Sequence, residues 1–96
     1  MAKYIALINW TEKGVKAVKD SPKRADKARA LAKKLGGSFE QLYMTMGAYD
    51  LVAVLDMPSD EAMATFALTT ASTGSIRTTT LKAFDEKAYR KIVAGV

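Results

Sequence analysis

The sequence predicts an α+β domain: one antiparallel sheet with helices on one of its faces. Three observations lead there. Two short runs, Tyr4-Ile5-Ala6-Leu7-Ile8 and Leu51-Val52-Ala53-Val54-Leu55, are apolar at every position, the pattern of strands covered on both faces. The stretches from Ser21 to about Leu35 and from Ser59 to Gly74 instead repeat their apolar residues at spacings of three and four, the period of an amphipathic helix. Between the strand-like runs ending at Met46 and beginning at Asp50, Gly47-Ala48 reads as a hairpin turn.

The elements follow in order. Tyr4 to Ile8 forms a central strand that ends at Asn9-Trp10-Thr11, and Thr11 caps a short turn through Lys13, Gly14 and Val15. Ser21-Pro22 then starts the main first helix, serine at N-cap and proline at N1. Its stripe of Ala25, Ala28, Leu31, Ala32 and Leu35 is built largely from small residues, which allow close approach to a sheet, and Gly36-Gly37 ends it. A hairpin pairs Ser38–Met46 with Asp50–Met57. Its two-residue type II′ loop is favoured because glycine alone takes positive φ freely at the first central position. Pro58 stops the second strand, since it has no N–H to donate to a ladder. Ser59 opens the next helix. Asp60 and Glu61 sit in its positively polarised first turn, and Ala62, Met63, Phe66, Ala67 and Thr70 trace its buried side. After Gly74, the β-branched segment Ser75–Phe84 reads as the last strand. Asp85-Glu86 starts a terminal helix carrying Tyr89, Ile92 and Val93.

The order is therefore βαββαβ plus a C-terminal helix, the split-βαβ or ferredoxin-like motif, in one domain over residues 1–96. Two helices on one face leave the other open. A solvated face would alternate toward polar residues, but Ile5–Ile8 and Leu51–Leu55 do not. The expectation is that the open face is buried against a second copy of the chain in a two-fold pair, because so much contiguous apolar sheet would otherwise promote aggregation.

Composition narrows the chemistry. With 49% apolar and 26% charged residues, the chain has the balance of a folded globular domain rather than a disordered one. There is no cysteine, which excludes disulfides and thiolate metal sites. There is no histidine, which removes the commonest general base and the usual metal ligand. The carboxylates show no metal-ligand spacing and no glycine-rich loop opens a helix as a phosphate cradle does, so no metal, nucleotide or other cofactor is expected. The start has no signal-peptide core and no run is long enough to span a membrane, which makes the cytoplasm the default location. Residues 1–40 carry ten Lys/Arg against four Asp/Glu, and residues 41–96 five against six. This regional surplus, made up of Lys13, Lys16, Lys19, Lys23, Arg24, Lys27, Arg29, Lys33 and Lys34, attracts phosphates or other anions or solvates the outer face of a helix. RNA binding is disfavoured, because an RNA-recognition module of this strand order needs exposed aromatics on its central strands and Leu51–Leu55 has none.

Several blocks together carry a resemblance: Lys3-Tyr4-Ile5-Ala6-Leu7, Trp10-Thr11, Ser21-Pro22-Lys23-Arg24, Leu35-Gly36-Gly37, Gly47-x-Tyr49-Asp50-Leu51-Val52 and Ile76-Arg77-Thr78-x-Thr80-Leu81. Over nearly its whole length the chain resembles the GYD-domain family, with Ala48 inserted so that the signature reads GxYD. That family is similar to the dimeric α/β-barrel superfamily. The resemblance implies ferredoxin-like protomers paired sheet to sheet, able to enclose a cavity, and it assigns no reaction.

Five residues are candidates for a ligand site. Asp50, beside a tight turn, either caps backbone N–H groups or walls a cavity and pairs with Arg77. Tyr49 packs, or stacks on a ligand. Asn9 ends a central strand, and the ring of Trp10 either fills core or interface or roofs a pocket. Catalytic residues are not assigned. The preferred reading is a homo-oligomeric domain that binds a small organic molecule or regulates through it. The alternative is a cofactor-independent oxygenase or isomerase acting on a small aromatic substrate.

Overall fold

The computed structural model describes residues 1–96. Strand β1 (Ala2–Trp10) leads into a short helix α1 (Glu12–Lys16) and a 3-10 turn over Val18–Asp20. Then come α2 (Ser21–Lys34), β2 (Ser38–Met44), β3 (Leu51–Met57), α3 (Asp60–Ala71), β4 (Ile76–Ala83) and α4 (Glu86–Ala94). The strands form one antiparallel sheet in the order β2-β3-β1-β4, the ferredoxin-like arrangement, with the two fully apolar runs at its centre.

Register fixes what each face carries. Tyr4, Ala6 and Ile8 of β1, opposite Leu55, Ala53 and Leu51 of β3, lie on the face covered by α2 and α3. Ile5 and Leu7, opposite Val54 and Val52, lie on the other face. The tight core occupies one end of the covered face, where Tyr4, Leu55 and Met57 meet Ala32, Met63 and Phe66, all nearly inaccessible to solvent. At that end Phe39 and Phe66 pair as tilted rings 6.4 Å apart, and the Arg29 guanidinium lies over Phe39 at 5.1 Å. On the open face Ile5, Leu7, Val52 and Val54 are half-buried and Leu81 is 45% exposed.

The Tyr4 hydroxyl donates to the Asp60 carboxylate, and Lys82 Nζ reaches the same carboxylate at 3.1 Å, which ties the first turn of α3 to the sheet. The bond to Asp60, then burial, pushes the Tyr4 hydroxyl up to about 12. The bond from Tyr4, then that from Lys82, holds the Asp60 carboxyl below its ordinary value. A lowered carboxyl stabilises the fold above the ordinary carboxyl range and loses that contribution as pH falls through its folded value; the raised Tyr4 hydroxyl loses its contribution only as pH climbs above ~10. Tyr4→Phe is therefore expected to unfold at lower urea than wild type at neutral pH, with the gap closing as Asp60 protonates in acid. Urea titrations followed by Trp10 fluorescence at neutral and acid pH check this, and a gap independent of pH contradicts it.

Two local expectations are corrected. The hairpin is not closed by a two-residue loop, because residues 45–50 all lie outside the strands. Asp50 N–H is already committed to the Ile8 carbonyl of β1 at 2.9 Å. Thr45 N–H donates to the Asp50 carbonyl at 2.8 Å and the Thr45 hydroxyl to that of Tyr49, which leaves residues 46–49 to make the turn. Gly47 does supply positive φ, at 125°, with open space around it, so conformation rather than crowding demands glycine there. Ser21 is likewise not the N-cap of α2. The 3-10 turn runs straight into the helix, making Asp20 the cap residue and placing Pro22 within the first turn, where an absent N–H costs no helical bond. Thr11 and Ser59 cap α1 and α3 through Gly14 N–H and Ala62 N–H.

Candidate functional site

The stripe on α2 does not seat along its length. Ala32 is fully buried against the core, but toward the helix N-terminus Ala25, Ala28 and Leu31 border a cavity of about 480 Å³ between α2, α3 and the sheet. Small residues line all three walls: Ala25 and Ala28 on α2, Ala67 and Thr70 on α3, and Ala6, Ala53, Thr78 and Thr80 on the sheet. Their side chains are too short to fill the gap that Leu31, Met63 and Phe66 hold open. A closed void of this size would cost on the order of 10 kcal/mol at about 24 cal/mol per Å³, as much as the whole stability of a small domain. The space is therefore one that solvent or a ligand fills. Its volume falls in the range of small-molecule pockets, and its lining is predominantly apolar.

Topology makes the two ends of this cavity unlike. The C-terminal end of β1, the start of α2, the end of α3 and the start of β4 converge at one end. There Lys13, Ser21, Arg24, Thr73 and the buried Ser75 join the lining, with Lys27 one turn along α2. Lys13 Nζ donates to the Thr73 carbonyl at 2.8 Å, and Arg24 donates to the carbonyls of Ala17 at 3.2 Å and Gly14 at 3.3 Å. No acidic residue lines the cavity.

The five candidates of the sequence do not converge there. Asn9 and Arg77 are cross-strand partners on the open sheet face, and with Trp10 and Thr11 they edge a shallow polar cleft. Asp50 takes the capping role: its carboxylate accepts from Trp10 N–H at 2.9 Å, clasping the hairpin to the end of β1, while Arg77 forms no ion pair. Tyr49 is half-buried at the foot of the loop, its carbonyl occupied by Thr45. The Trp10 ring nitrogen is buried without a hydrogen-bond partner. Asp50→Ala should leave Trp10 N–H without its charged acceptor and lower stability by about 1–3 kcal/mol, read from the urea midpoint.

The cavity residues were missed because a lining stripe and a packed stripe share one period. A usable signal was the coincidence of short side chains on both helices and both central strands, a volume deficit that no single element shows. The nine basic residues between Lys13 and Lys34 also divide in space, since only Lys13, Arg24 and Lys27 reach the cavity.

Comparison with known proteins places the architecture. The leucine response regulatory protein LrpA of Mycobacterium tuberculosis superposes with a TM-score of 0.58 at 17% identity. The match covers 88% of this chain and 51% of the other, so this chain spans about half the length of the regulator. The protein TTHA0845 from Thermus thermophilus superposes with a TM-score of 0.55 at 22% identity, covering 88% of this chain and 94% of the other. These likenesses are of fold. A search of curated proteins gave no match. No helix is long and apolar enough to cross a membrane. The GYD-domain model matches residues 4–93, from the start of β1 into α4. The chain belongs to the GYD-domain family.

Proposed function

We propose that the protein is a self-associating domain that binds a small organic molecule in the cavity between its helices and sheet. The observation that carries this reading is the cavity itself, apolar over most of its lining and polar at one end. Binding is favoured over proton-transfer catalysis, because no carboxylate, imidazole or phenol borders the cavity and, of its two lysines, Lys13 already donates to the Thr73 carbonyl. The reading is in keeping with the name of the mycobacterial neighbour, a leucine response regulatory protein.

Self-association is supported by the open sheet face. Its centre of Ile5, Leu7, Val52, Val54 and Leu81 is bounded at one end by Lys3, paired to both Glu40 and Asp56, and at the other by the unpaired Arg77. A second copy related by a two-fold axis running across the strands would set the surplus negative charge of the first end near Arg77 of its partner. The amphipathic α4 offers more apolar surface, with Tyr89, Ile92 and Val93 each about half exposed.

The cavity is tested with a neutral fluorophore, N-phenylnaphthylamine. Wild type is expected to bind it saturably at one probe per chain. Ala28→Phe, which places a ring in the space, is expected to lose binding at least tenfold while keeping its thermal stability. Equal binding by the two proteins would remove the cavity as the site.

A further inference from the structure

We propose that the cavity takes an amphipathic organic acid, its carboxylate held at the Lys13–Arg24 end and its apolar body lying toward Met63 and Phe66. This rests on the cavity being the binding site and adds the chemical class of its ligand. The observation behind it is a charge imbalance confined to one end. Lys13, Arg24 and Lys27 border the cavity, and none of the three belongs to any ion pair. Of the acids nearest in sequence, Glu12 pairs with Lys16 at 3.1 Å and Asp26 with Arg29 at 3.4 Å, while Asp20, four residues before Arg24, pairs with no cation and does not line the cavity. The negatively polarised C-terminal end of α3 also lies in this region, but Lys13 already donates to the carbonyl of Thr73, two residues past the helix.

Arg24 is held rather than free. Its two terminal nitrogens donate to the carbonyls of Ala17 and Gly14, which restrains the guanidinium of this lining residue, yet those bonds leave its charge unmatched and Nε without an acceptor. A cation restrained in place beside an apolar space suits an anionic head, since less side-chain freedom is lost on binding. A neutral ligand would leave these charges to water. A cationic one would meet only like charge.

Displacement of N-phenylnaphthylamine by decanoate, decanol and decyltrimethylammonium separates head from tail. Decanoate is expected to displace the probe at a concentration roughly ten- to a hundredfold below that of decanol, the size of one or two charge-assisted contacts, and the ammonium to be the weakest. Lys13→Gln with Arg24→Gln should close the gap between decanoate and decanol, so that the ratio of the two, rather than either value alone, reports the loss of the anionic contact. Lys13→Gln alone, at an exposed position, should give part of that loss. Decanol matching decanoate on wild type would overturn the anionic assignment while leaving the cavity as the site. Failure of the probe to bind wild type at all would overturn the cavity reading, and this inference with it.

Discussion

Val54→Asp is expected to convert a self-associated protein into monomers while leaving the protomer folded. Val54 lies on β3 opposite Ile5, on the sheet face that no helix of its own chain covers, and its half-buried state comes only from its neighbours within that face. In a monomer an aspartate there reaches water, so the folded protomer loses little. In a sheet-to-sheet pair it sits in the apolar centre with no cation opposite, and an unpaired buried charge costs about 4 kcal/mol, which is roughly a thousandfold in Kd. Sedimentation velocity at micromolar concentration distinguishes the outcomes. Wild type should sediment as a dimer or larger and Val54→Asp as a monomer with unchanged circular dichroism. Two monomeric proteins would dispose of the pairing.

Gly14→Ala carries the second large effect, on folding itself. A Cβ at this position would lie 1.9 Å from the Ser75 carbonyl oxygen and 2.8 Å from its carbon, contacts with backbone that no rotamer change relieves. That carbonyl accepts from Thr11 N–H at 3.0 Å, so α1 and the start of β4 are already joined where the methyl would go. Relief requires α1 to move off the sheet, breaking this bond and shifting the Gly14 carbonyl that holds Arg24. We expect a loss of about 3 kcal/mol or more, the scale of severe overpacking, seen as a lower urea midpoint. Val15→Ala, one residue along and exposed, should change the midpoint little. Equal midpoints for Gly14→Ala and wild type would mean that α1 stands further from β4 than its hydrogen bonds place it.

These two residues also show how far the sequence could be read. Val54 was legible: an apolar residue on both faces of the same strand demands two covers, and the helices supply one. Gly14 was legible only as part of a turn, because its closeness to Ser75 joins residues sixty-one positions apart in sequence. The GxYD block gave the hairpin but not its length. Glycine's positive φ suits several loop types, and the choice was made by Asp50, whose N–H bonds β1 and whose carboxylate clasps Trp10. The cavity was the least legible feature, since periodicity reports which side of a helix faces inward and says nothing of how far away the opposite wall stands. Arg24 illustrates the same limit. Its place in a lysine-rich helix suggests a solvated face, whereas the chain before α2 folds back so that its guanidinium bonds the Ala17 and Gly14 carbonyls and the residue lines the cavity.

A small molecule that enters the helix–sheet cavity rather than the open face should be seen by intermolecular nuclear Overhauser effects. With N-phenylnaphthylamine bound, its aromatic protons should show cross-peaks to the methyl groups of Leu31, Met63 and Ile8, which border the cavity. None should appear to Leu7, Val54 or Leu81. Cross-peaks to that second set, with none to the first, would place binding on the sheet face and remove the cavity as the site.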